Sequence, residues 1–213
     1  MTELFGVRPD TPWPSVAILG YMEDDSTLAM GFASAADLIV DDWERGARDD
    51  SMAVPMMYLY RHAMELALKQ SVRDVATRLR AAKDADPNIV SEKVDQRLAS
   101  RELGHSLAAL AGELQRLLAR LNIQTLPDEV MATLDALHKS DATGEAFRYS
   151  LHRESGGFAQ TRPEQLRVDI VALRARLRES FGIIVYGLSG VLEAHDDYRA
   201  ELLSYAEDLS GEY

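Results

Sequence analysis

Five side chains between Tyr58 and Lys69 have the types and the spacing to do chemistry. Wound at about 3.6 residues per turn, Tyr58, Arg61, His62, Glu65 and Lys69 fall on one narrow polar stripe. Met56, Met57, Leu59, Tyr60, Ala63, Met64, Leu66 and Leu68 take nearly all the remaining surface. A helix so largely apolar is expected at the centre of the fold, with its charges partly desolvated. Arg61 to Glu65 and Glu65 to Lys69 are both i,i+4 steps, so the three alternate in sign as a ladder. The stripe is read either as a ligand-binding polar cluster or as a structural ladder that positions loops and neighbouring helices. His105, or the segment Phe147, Arg148, Tyr149, is expected beside it.

Metal chemistry is tested by the ligand order that carboxylate-bridged bundles use, Glu-x-x-His on two helices with two further inward glutamates. Only Glu102 to His105 has that order, while His62 to Glu65 is reversed and Glu193 to His195 has the wrong separation. No metal centre and no cofactor is expected. The sequence has no Gly-rich phosphate loop, no Gly-x-Ser-x-Gly elbow and no His-Glu-x-x-His motif, so a conventional hydrolase or kinase has no support.

The elements that must position these residues read as an all-α helical bundle of about five to seven helices with one long ordered loop or small hairpin. Pro9, Pro12 and Pro14 around Trp13 make residues 1–25 an extended arm. The bundle is expected over 26–197 and a short C-terminal helix over 198–213. Leu28, Phe32, Ala35, Leu38, Ile39 and Trp43 predict a first helix over about 26–45, and Pro55 opens the central helix, which reaches Leu79. Residues 90–103 suggest a short exposed helix. Leu107, Leu110, Leu114, Leu117 and Leu121 predict a helix from Gly104, and Pro127 opens another through Val130, Leu134 and Leu137.

From Asp141 to Arg162 the helical period disappears, and a segment this long inside a compact domain is often functional. Lys139, Arg148, Arg153, Arg162 and Arg167 outnumber the nearby carboxylates there, a local foothold for phosphate. Thr161 and Pro163 then introduce a long helix through Leu166, Ile170, Leu173, Leu177, Phe181, Ile184, Leu188 and Val191. Gly187, Gly190 and Ala194 form a small-residue face on it that would let another backbone approach closely.

Composition narrows the partners. At 213 residues one well-filled domain suffices. Thirty-five acidic against 23 basic residues leave a formal charge of −12, so the average surface repels phosphate backbones and anionic lipid, and no broad DNA-binding surface is expected. Cysteine is absent, which removes disulfides, Cys-ligated zinc and thiol catalysis. No signal peptide or membrane span is readable, so the chain is expected to be cytoplasmic.

The strings YLYRHAMELALK, GHSLAAL and DATGEAFRYSL, followed by a long final helix, resemble bacterial proteins of the HEPN-like class, over roughly 50–195. The resemblance implies a helical bundle, frequent homodimerisation and, in many members, metal-independent ribonuclease activity in toxin or phage-defence systems. That activity rests on an Arg and a His set four to six residues apart. Here the nearest matches, Arg148 to His152 and Arg101 to His105, have only three residues between them. At either place His could move a proton at the ribose 2′ hydroxyl and Arg could stabilise charge on the phosphoryl group. Arg148 and His152 are the candidate catalytic pair, and in the other reading they anchor the loop. The short spacing and acidic surface favour a non-catalytic interaction or nucleotide/RNA-sensing module of a stress, toxin or defence system. The alternative is a HEPN-type endoribonuclease. A homodimer through the final helix, a partner protein or RNA are the expected associations.

Overall fold

The computed structural model describes residues 11–20, 24–154, 157–162 and 164–211, and leaves the side chains of 152–154 and 210–211 undescribed. The described residues form an all-α bundle with one small hairpin. Helix α1 (Asp25–Glu44) starts where the Asp24 carboxylate accepts the Thr27 backbone N–H at 2.7 Å. It buries Ala29, Ala33, Ala36 and Val40, small side chains one or two turns apart that let it lie close against α2 (Ala53–Ala81).

Helix α2 has no interior glycine, and Pro55 sits in its first turn, where proline's missing N–H costs nothing. It packs against α1, against α3 (Ser91–Leu98), against α4 (Leu107–Arg120) and against α6 (Ile170–Gly182). Its buried residues, Met56, Tyr60, Ala63, Met64, Leu68, Val72, Val75 and Leu79 among them, are therefore the spine of the core. Leu107, Leu110, Leu114, Leu117 and Leu118 of α4 close over it, and α5 (Asp128–Ser140) adds Val130, Leu134 and Leu137. No helix among the described residues is long and apolar enough to cross a membrane.

Three boundaries differ from those the sequence suggests. Helix α4 begins at Leu107, with the Ser106 hydroxyl accepting the Ala109 N–H, and residues 101–105 are turns, so Arg101 and His105 do not share a helix face. Residues 164–169 are not helical; Asp169 caps Val171 and Ala172, α6 starts at Ile170, and Leu166 is 78% exposed. Helix α6 runs through a wide π-type turn, Ile183–Gly187, into α7 (Leu188–Gly211) without a break. The tail is thus the end of α7 rather than a separate helix over 198–213, because Asp196 is held by Arg78 at 2.8 Å within the helix rather than ending it. Of the expected arm, residues 1–10 and 21–23 lie outside the described residues, and Trp13 is exposed in a short 3-10 turn. Within 141–162, β1 (Leu151–Glu154) pairs antiparallel with β2 (Gly157–Gln160) in the register Leu151↔Gln160 to Glu154↔Gly157.

Candidate functional site

The stripe of α2 divides into two parts. Tyr58 and His62 turn toward α1: their rings stack with centroids 6.0 Å apart, and Phe32 meets His62 edge-on at 4.6 Å. Arg61, Glu65 and Lys69 turn toward the segments around His105 and Asp141. Arg61 is buried and each of its three nitrogens is used. Nε donates to the Asp141 carbonyl at 3.2 Å, Nη1 to Glu65 Oε2 at 3.1 Å and Nη2 to the His105 carbonyl at 2.5 Å. The Asp141 carboxylate, also buried, places Oδ2 3.2 Å from Nε without an aligned hydrogen bond, while its Oδ1 accepts the Ala146 N–H at 2.9 Å. One guanidinium thereby ties the central helix to the turn before α4 and to the end of α5.

Glu65 is the other half of the node. Its Oε1 accepts from Lys69 Nζ at 2.8 Å and lies 3.0 Å from His105 Nδ1. Burial pushes the Glu65 carboxyl up, but the hydrogen bonds and charges of Lys69 and His105 outweigh it and hold the group below its ordinary value. Glu65 is therefore an acceptor only, so Nδ1 of His105 must carry the proton that is shared with it. The His105 side chain is 67% exposed. Its backbone carbonyl and Nδ1 are gripped from inside, while most of the ring is open to solvent.

Two glycines make this packing possible. A Cβ on Gly104 would lie 2.6 Å from the Ser100 carbonyl oxygen, and one on Gly144, where φ is +78°, would lie 3.1 Å from Arg61 Nη1. Gly104→Ala is expected to cost about 1 to 3 kcal/mol by forcing the turn that carries His105 off the backbone of Ser100. A melting temperature equal to that of the native protein would show the turn has room to spare.

Arg148 approaches the same neighbourhood. Its Nε donates to the Gly144 carbonyl at 2.5 Å, its guanidinium stands 5.6 Å from the Tyr149 ring centre, and its charge is felt at His62. The His152 side chain lies outside the described residues; its backbone is in β1, paired with Ala159. The wider basic foothold is partly spent. Lys139 pairs with Asp135 at 2.6 Å and the Arg162 guanidinium donates to the Ala146 carbonyl.

His62 is half-buried, and burial first, then the charges of Lys69, Arg61 and Arg148 against the opposing Glu65, lowers its pKa. A lowered folded value means the unfolded chain binds the proton more readily. The stability that His62 contributes is then complete above the unfolded value of about 6.5 and is lost as pH falls through the folded one. Urea midpoints are expected to fall between about pH 7 and pH 5 in the native protein and to fall less in His62→Leu. Equal slopes in the two would remove His62 as the cause. Glu65 acts in a separate window, below its ordinary value of 4.5.

Sequence reasoning missed Asp141, Gly144 and a half-buried pair, the hydroxyl of buried Tyr60 donating to Asp37 Oδ1 at 2.5 Å. No local pattern marks Asp141 as the partner of a residue eighty positions away. No group of three or more His, Asp or Glu among the described residues is arranged to hold a metal. A scan against protein-family models finds no match to this chain, and searches of curated proteins and of solved structures likewise find none.

Proposed function

We propose that this chain is a HEPN-like helical protein of a stress, toxin or defence system that acts as a non-catalytic module, sensing nucleotide or RNA phosphate at the surface over the Arg61–Glu65 node, where Arg148 is bonded to the carbonyl of Gly144, the glycine that packs on Arg61. The observation that carries this reading is the closed bonding of the node. Arg61 is spent entirely within the chain, and Glu65 and Asp141 balance Arg61 and Lys69 in charge. That leaves Arg148 as the added cation on a rigid platform, a foothold for phosphate with little reserve for stabilising a transition state. Self-association through the small face of Gly187, Gly190 and Ala194 belongs to the same reading, since a Cβ on Gly190 would meet nothing within 4 Å and another backbone could approach there.

One observation favours the alternative, a metal-independent endoribonuclease. The Glu65–His105 pair orients an exposed imidazole as carboxylates orient general bases, which makes His105 a second candidate base alongside the sequence candidate His152. Incubating a labelled single-stranded RNA with the protein in EDTA separates the two. Intact RNA in a complex is expected; fragments that disappear in His105→Ala or His152→Ala would make the protein a nuclease.

A further inference from the structure

The carboxyl half of α7 carries an apolar stripe that the bundle does not cover. Up to His195 the helix has a normal inner side: Leu188 and Leu192 are buried, and the His195 side chain is 13% exposed. Arg78 holds Asp196, and Arg199 reaches the Ala81 carbonyl at 3.4 Å, at the very end of α2. Every described residue from Ala200 to Leu209 is exposed. Along this stretch Tyr198, Leu202, Tyr205 and Leu209, each at least half exposed, are separated by steps of four, three and four. That is the spacing of a coiled-coil seam, and over these residues it runs about 16 Å.

An isolated helix of this length is marginal in water, and a row of large apolar side chains on it is the pattern of a surface that another helix covers. Charge decides which helix. At 100° per residue Asp197, Glu201 and Asp208 line one edge of the seam, all exposed, and the chain as a whole carries −12. A second copy laid antiparallel along the seam would bring these acidic edges together, and one laid parallel would set them against an edge carrying Ala206 and Arg199, the latter turned to the Ala81 carbonyl. A helix with lysine or arginine along its edge would meet opposite charge at each turn.

We propose that the exposed seam of α7 from Tyr198 to Leu209 is the docking surface for an amphipathic, basic-edged helix of a partner protein. The proposal names the partner chemistry of the interaction module described above and rests on that reading. It places the partner away from the Glu65 node and beyond Gly190, where self-association is expected.

The test uses the full chain and two synthetic helical peptides, both with leucines at alternating steps of three and four. One has lysines along both edges of its seam and the other has glutamates at the same positions. Fluorescence anisotropy is expected to show the lysine peptide binding at least about tenfold more tightly than the glutamate peptide, with the preference shrinking as salt rises. The double variant Leu202→Glu, Leu209→Glu should abolish binding while its melting temperature and its RNA titration stay as in the native protein. Equal affinity for the two peptides, binding of neither, or binding that survives the double variant would overturn the proposal. So would sedimentation showing a native dimer that the double variant dissociates, which would put a second copy on the seam. A lost RNA complex with intact peptide binding would instead count against the phosphate-sensing reading alone.

Discussion

Arg61→Met is expected to lower the unfolding free energy by about 3 to 5 kcal/mol, because it leaves Glu65 and Asp141 buried without the cation between them. Both carboxylates are at most 3% exposed, so neither can recover by turning to water. Lys69 still reaches Glu65, which softens the loss at that end, whereas Asp141 keeps only the Ala146 N–H. Arg61→Lys should lose most of the same stability, since one ammonium cannot serve Asp141, Glu65 and the His105 carbonyl, which lie in three directions. Adding Glu65→Leu and Asp141→Leu to Arg61→Met should recover much of the deficit by turning the node apolar. Chemical denaturation of the three variants checks this. A single Arg61→Met within about 1 kcal/mol of the native protein would mean water reaches the node and solvates what the substitution strands.

The second large effect concerns the platform rather than the core. Arg148→Ala removes the exposed cation that adds to a charge-balanced cluster, and it leaves the buried bonds of Arg61 untouched. RNA binding should weaken about three- to tenfold, evenly across sequences, and the salt dependence of the affinity should become shallower by about one phosphate contact. Because Arg148 is exposed and bonded to the Gly144 carbonyl, the fold should tolerate the change.

The ladder Arg61, Glu65, Lys69 was legible because i,i+4 geometry is local: once the segment is a helix, the three must share a side. The same logic failed where tertiary contacts set the outcome. Leu166 continues the three-and-four spacing of the final helix, yet Asp169 captures the amide groups of the first turn and starts the helix later, leaving Leu166 outside. Val191 fits the spacing too, but the wide turn at Ile183–Gly187 takes up an extra residue, so Leu192 reaches the core and Val191 faces outward. The separate C-terminal helix expected from 198 is instead the end of α7, in which Arg78, far away in sequence, holds Asp196. His105 was recognisable as a candidate, while the Glu65 carboxylate that fixes its tautomer depended on a turn whose path hangs on Gly104.

The central claim is that phosphate is held at the face built on the Arg61–Glu65 node. Its most direct measurement is an anisotropy titration of a labelled single-stranded RNA, in EDTA, against the native protein, Arg148→Ala, and a control that removes a basic residue elsewhere, Arg45→Ala, an exposed arginine at the end of α1 paired with Asp42 one turn back. The account predicts that native protein and Arg45→Ala bind alike and that Arg148→Ala binds several-fold more weakly. Identical affinities for all three, or no binding by the native protein, would contradict it.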